Sequence, residues 1–152
     1  MPKYSTHTTF NLSLSFPLIL TALYLYSHPT PLQLGFFSIA FIYTTLFMHP
    51  DMDIAYKIKK ISLRGFLSLP FIGYAKLFRH RGMSHTLILG SITRILWLYA
   101  VVFIICYAFN LCFFTKTSLT LYCIHYKKEM LYGFIGICTA DASHLLLDKL
   151  KT

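Results

Sequence analysis

The sequence predicts an all-α protein: a bundle of about four membrane-crossing helices with one interfacial or re-entrant segment. Three observations carry that expectation. The 152 residues are 56% hydrophobic and 17% aromatic but only 12% charged, whereas a water-soluble domain carries about 25% charged residues. The mean hydropathy is +0.59. The apolar residues fall in runs separated by basic stretches, and only helices and closed barrels satisfy their backbone groups inside a bilayer. The length suits a single domain over residues 1–152, with a basic loop over 49–85.

The first apolar run, Phe10 to Tyr26, follows Lys3 and has the length of a short span. It also resembles a signal peptide. No small-x-small cleavage site follows, since Tyr26-Ser27-His28-Pro29 is a poor one, so a retained helix is expected. Pro29 and Pro31 disfavour helix in the residues before them, which makes Ser27 to Pro31 a turn. The second run is Gln33 to Met48. Gly65 to Phe78 is apolar but interrupted by Pro70 and Gly73, hence the interfacial or re-entrant reading.

The third run, Thr86 to Phe114, is the longest, with Ser84 as a natural N-cap and Gly82 before it for a tight turn. Its one charge, Arg94, falls about 12 Å along the helix and must either snorkel or pair with an acid inside the bundle. Thr115 to Glu129 reads as a loop. The last run, Leu131 to Leu147, carries Gly133, Gly136 and Ala140, small residues spaced for close helix packing. Cys106 and Cys138 read as small buried hydrophobes. Cys112 and Cys123 flank one loop and would pair only in an oxidising compartment. No C-x-x-C pair occurs, which disfavours a cysteine zinc site.

A net charge of +9 would suggest nucleic-acid binding in a soluble protein. Here the basic residues lie between apolar runs, so the expected partner is the lipid bilayer and no nucleic acid. With the N-terminus, the 49–85 loop and the C-terminus on one side, that side holds ten Lys and Arg and the other holds three. Positive-inside then puts both termini in the cytoplasm.

The histidines and acids gather on that same side. His7 precedes the first run, Asp51 and Asp53 follow the second, His80 and His85 precede the third, and His144 and Asp148 end the fourth. Four of the five acidic residues, Asp51, Asp53, Asp141 and Asp148, accompany histidines in this way. Asp141, His144 and Asp148 are spaced i, i+3, i+7 and share one helix face. Nitrogen and carboxylate donors without thiolates suit a divalent ion such as Zn, Mn, Fe or Ni. The candidate ligands are His7, Asp51, Asp53, His80, His85, His144 and Asp148. Asp53 or His80 would act as general base, and Arg79 and Arg81 would bind a phosphate or carboxylate group on the substrate. The two arginines serve equally well as topology anchors. His28 and His125 are expected on the opposite surface.

The stretches Thr6-His7, His49-Pro50-Asp51-Met52-Asp53-Ile54, Arg79-His80-Arg81-Gly82-Met83-Ser84-His85-Thr86 with Leu89-Gly90 and Arg94, and Ser143-His144-Leu145-Leu146-Leu147-Asp148 occur in series. In that order they resemble the bacterial membrane-bound metal-dependent hydrolase family of metal-binding proteins. The resemblance covers most of the chain. It implies a helical membrane protein with a His/Asp metal centre and hydrolase activity, and carries all seven candidate ligands into ligand or near-ligand roles. Thr8 departs from the acid that often follows the first histidine in related sequences. Two functional expectations follow: a hydrolase acting on a phosphoester or lipid-linked substrate, or a metal-binding membrane protein without catalysis.

Overall fold

A computed structural model of the chain describes residues 4–48, 65, 68–77, 86–108 and 116–150, and the regular elements among them are all helical. The first helix, α1, runs Tyr4–Ser27. It starts well before the apolar run at Phe10, so His7 lies within the helix rather than ahead of it. Hydropathy could not reveal this, because the polar first turns are held by side-chain contacts with other helices. Within α1 a π-helical turn, Asn11–Ser15, separates α-helical Tyr4–Phe10 from Phe16–Ser27. The wide turn comes just before Pro17, which lacks the N–H that would bond the carbonyl of Ser13 in an α-helix.

Helix α1 ends at His28, whose φ of 43° is left-handed and whose N–H reaches Tyr24 O. Helix α2, Pro31–Phe47, opens with a reciprocal capping box: Thr30 Oγ1 accepts from the Gln33 N–H, and Gln33 Oε1 accepts from the Thr30 N–H. Pro31 takes the first helical position, where no N–H is needed. The turn expected at Ser27 to Pro31 is therefore present.

The interrupted segment folds in part as helix α3, Pro70–Leu77. Pro70 starts this helix rather than breaking one. Gly73 makes room for Trp97: a Cβ there would lie 2.6 Å from Trp97 Cζ2. Trp97 Nε1 donates to Pro70 O at 2.8 Å, and Tyr74 OH shares a hydrogen bond with Thr93 Oγ1 at 3.1 Å. Helix α4, Leu87–Ala108, forms the other side of these contacts.

The expected loop from Thr115 to Glu129 is instead mostly helical. Helix α5, Lys116–His125, turns at Tyr126 into α6, Lys127–Leu150. No Gly or Pro interrupts 116–132, and Glu129 in the first turn of α6 suits the positive end of the helix dipole. The charges suggested a loop; the absence of a helix breaker decided otherwise.

Among the described residues, three helices are long and apolar enough to cross a membrane: Tyr4–Ser27, Leu87–Ile105 and Lys127–Leu150. This is one fewer than expected, because α2 reaches only 17 residues. Among the described helices, α2 and α6 form the most extensive pair. Gly136 allows it: a Cβ there would meet Phe37 O at 2.5 Å and Phe41 N at 3.2 Å. Phe37, Phe41 and Ala140 form one apolar core, and Met48, Phe71 and Tyr74 another.

The distribution of polarity is inverted. The buried residues of α1 are His7, Asn11 and Ser15, while Leu18 and Leu25 on the same helix are 69% and 61% exposed. Arg94 and Asp141 are buried in the bundle, while Phe103 and Ile104 face outward.

Candidate metal centre

The centre is built by the start of α1 and the end of α6. Tyr4, His7 and Asn11 follow one another at helical spacing and share one face. Tyr4 OH donates to Leu46 O at 3.0 Å, fixing the first turn against the end of α2. One turn beyond His7, the Asn11 amide donates to Ala140 O of α6 at 3.2 Å and to Thr45 Oγ1 of α2 at 3.4 Å. These anchors on either side leave His7 little choice of position.

His7 stacks on His144, with ring centroids 3.9 Å apart and planes inclined by 14°. Both imidazoles are buried, and both meet one carboxylate. His7 Nε2 lies 3.3 Å from Asp148 Oδ1, and His144 Nε2 lies 3.7 Å from Asp148 Oδ2. One donor atom from each of His7, His144 and Asp148 lies within 4.8 Å of the others. Ions bound by histidine sit about 2.0–2.1 Å from nitrogen, so neighbouring donors around one ion are roughly 3–3.5 Å apart; the 3.3 Å between His7 Nε2 and Asp148 Oδ1 lies in that range and the 3.7 Å between His144 Nε2 and Asp148 Oδ2 just above it. Two nitrogens and a carboxylate suit a divalent transition metal. On the same two helices, Thr8 Oγ1, Asn11 Oδ1 and Asp141 Oδ1 are buried without a hydrogen-bond partner among the described residues. The residues present therefore fit a metal ion.

One turn before His144, Asp141 answers the question posed by Arg94. The guanidinium pairs with Asp141 Oδ2 inside the bundle and does not snorkel. Its Nε donates to Gly90 O at 2.9 Å and its Nη1 to Met48 O at 2.7 Å. Ser91 Oγ also reaches Asp141 Oδ2. Arg94 thus ties the end of α2, the first turns of α4 and the part of α6 that precedes His144 together.

The structure brings His7, His144 and Asp148 together. Asp51, Asp53, His80, His85, Arg79 and Arg81, with Gly82 and Ser84, lie outside the described residues. His28 and His125 are exposed, as expected of surface residues. Cys123 is exposed with a free thiol and Cys138 is half-buried rather than fully buried; Cys112 and the side chain of Cys106 lie outside the described residues. Sequence reasoning missed Tyr4, Asn11 and Ser15. The signal for them was a polar residue every three or four positions through Tyr4, His7, Asn11 and Ser15, obscured because the apolar run was read from Phe10.

A helical bundle whose buried polar face ends in a His/His/Asp cluster has the form of a metal-binding protein. The chain belongs to the family described as uncharacterized metal-binding protein (DUF2227), whose match covers residues 2–152. No curated protein and no solved structure matches it.

Proposed function

We propose that this protein is a membrane-bound, metal-dependent hydrolase whose centre lies at the cytoplasmic face. The observation that carries the reading is the meeting of His7, His144 and Asp148 at the bundle end where α1 begins and α2 and α6 finish. Membrane embedding is supported by the inverted polarity: large apolar residues cover the outside while Arg94, Asp141 and His144 are buried. Buried ionisable groups of this kind are functional by default in a bilayer.

His7, His144 and Asp148 would hold the ion. A metal so bound supplies activated water at neutral pH and polarises a phosphoryl or carbonyl oxygen. Asp148 is the partly exposed member, at 17% of its side chain, and is the side from which substrate would approach. On this reading Asp51, Asp53, His80 and His85 complete or surround the centre. Asp53 or His80 takes the proton, and Arg79 and Arg81 hold an anionic phosphoester or lipid-linked substrate.

The near-complete burial of His7 and His144 also supports a second reading, a protein that holds its metal without catalysis. One experiment separates the two. Detergent-purified wild type and His144→Ala are compared for bound metal, then for hydrolysis of bis(p-nitrophenyl) phosphate and of phosphatidic acid. Stoichiometric metal with hydrolysis above the variant supports the hydrolase. Stoichiometric metal with no hydrolysis leaves the holding role, and equal, near-zero metal in both proteins removes both readings.

A further inference from the structure

Between α2, α4 and α6 lies a groove of about 650 Å³, within the roughly 300–1,000 Å³ of small-molecule sites. Its walls are apolar almost throughout. One end is blind. There Met48 is 2% exposed and packs with Ile95 and Ile137 against Phe71 and Tyr74. The Arg94–Asp141 pair, bound to the Met48 carbonyl, separates this end from the His/Asp cluster. The other end is open. There Phe36 and Met130 are 37% and 49% exposed, and the Phe36 carbonyl lies beside Gly133, one turn from Met130. The groove thus admits a chain from the end where α6 begins.

The mouth of the groove is polar and basic. The Met130 N–H bonds Tyr126 O at 2.9 Å, so helical geometry reaches back to Tyr126. Tyr126 and Lys127, four and three residues before Met130, therefore fall on the groove face of α6. Lys127 and its neighbour Lys128 are exposed, and Tyr126 is half-buried. Glu129, the acid of this turn, is two residues from Lys127 and so points to another face. Lysine and tyrosine are the side chains that settle at a membrane interface, and an ammonium beside a phenol complements a phosphodiester. From Lys127 to Asp148 is about 32 Å along α6, close to the roughly 30 Å of a bilayer's hydrocarbon core. With the His/Asp cluster at one headgroup level, the mouth of the groove falls at the other.

We propose that the groove binds one acyl chain of an anionic glycerophospholipid from the leaflet opposite the metal centre, with the lipid phosphate held by Lys127 and Tyr126. The inference rests on the membrane embedding proposed above and is independent of the hydrolase chemistry. Open exposure at Phe36 and Met130 and closure at Met48 set the direction of the chain. The exposed lysines set the charge of the head. One lysine at an anionic surface should favour an anionic head about fivefold over a zwitterionic one.

The test uses the full-length protein in phosphatidylcholine nanodiscs carrying a small fraction of photoreactive lipid. One probe is phosphatidylglycerol with a diazirine midway along one acyl chain; the other is phosphatidylcholine with the same chain. After irradiation, labelled peptides are mapped by mass spectrometry, and light scattering reads the number of copies per nanodisc. Phosphatidylglycerol is expected to label α4 at Ile95 and Leu98 and α6 at Phe134 and Ile137, about fivefold above phosphatidylcholine. Lys127→Gln, at an exposed position, should bring the two probes level. Leu98→Trp, which fills the groove from α4, should cut groove labelling by both. Label spread evenly over Leu18, Val102 and Phe103, which are exposed outside the groove, would overturn the proposal. So would equal groove labelling by both probes in wild type, or a preference that survives Lys127→Gln. Two copies per nanodisc with an unlabelled groove would overturn it in favour of a second copy of this chain. A protein that stays in solution without detergent and does not enter nanodiscs would remove the membrane reading itself, and the proposal with it. Bound metal enters none of these outcomes, so the hydrolase reading stands or falls separately.

Discussion

His7 and His144 stack face to face at 3.9 Å across the bundle, and the two Nε2 atoms meet opposite oxygens of Asp148. Two ring nitrogens from opposite ends of the chain thus share one carboxylate, the donor set expected of a divalent metal. Individual replacement of His7, His144 or Asp148 by alanine should therefore reduce metal from near stoichiometric to about a tenth or less. Inductively coupled plasma mass spectrometry after dialysis against chelator checks this. Full retention in all three variants would rule the cluster out as the ligand set.

Asn11 orients α1 without belonging to the ligand set. Partners that position metal ligands typically contribute 10–100-fold in affinity. Asn11→Leu removes the bonds to Ala140 O and Thr45 Oγ1 while keeping volume. The expected outcome is a 10–100-fold weaker metal affinity in competitive titration, with the protein still folded by circular dichroism. An unchanged affinity would mean that His7 finds its place without this anchor.

Arg94 and Asp141 form a buried ion pair, and the two partners should behave unequally when cut singly or together. Arg94→Met leaves the Asp141 carboxylate buried without its cation, a change that costs about 3–5 kcal/mol for buried pairs. Arg94→Met combined with Asp141→Leu removes both charges and should recover most of that loss. Thermal or denaturant unfolding in detergent measures both. A double variant no more stable than Arg94→Met would show that the bond from Arg94 to Met48 O, rather than the charge pair, holds the bundle.

The two glycines of α6 differ in kind. A Cβ at Gly136 would drive into the α2 backbone at Phe37 O, while one at Gly133 would make ordinary contacts at 3.8–3.9 Å. Gly136→Ala should destabilise by about 1–3 kcal/mol, as overpacking does. Gly133→Ala should be neutral or slightly stabilising, because alanine favours helix. Equal effects in parallel unfolding measurements would contradict the close approach of α2 and α6.

Topology offers a prediction that leaves the centre untouched. If the basic side faces the cytoplasm, as positive-inside expects, the end of α6 is cytoplasmic and α5 lies outside. The exposed thiol of Cys123 should react with a membrane-impermeant maleimide applied to spheroplasts. A cysteine introduced at Lys149 in a Cys123→Ser background should react only after lysis. The reverse pattern would invert the orientation.

Read alone, the amino-acid order determines a great deal here. The charge deficit and apolar runs dictate a helical bundle. The i, i+3, i+7 spacing of Asp141, His144 and Asp148 assigns them one face, because a helix's period is a property of its own axis. Glycines on α6 announce a close neighbour. Whether Arg94 snorkels or pairs is decided only by packing, since its partner is 47 residues away. Tertiary structure alone extends α1 back through His7, because Tyr4 and Asn11 are held by α2 and α6 rather than by hydropathy. It also brings Asn11 and Ser15 inward across the π turn, where the extra residue per turn shifts the phase that periodicity assumes. Finally, it selects His7 as the ring stacked on His144. Local sequence sets which way a side chain leaves its own helix, but which two faces meet is decided by backbone contact at places such as Gly136, where the absence of a Cβ lets one helix lie against another.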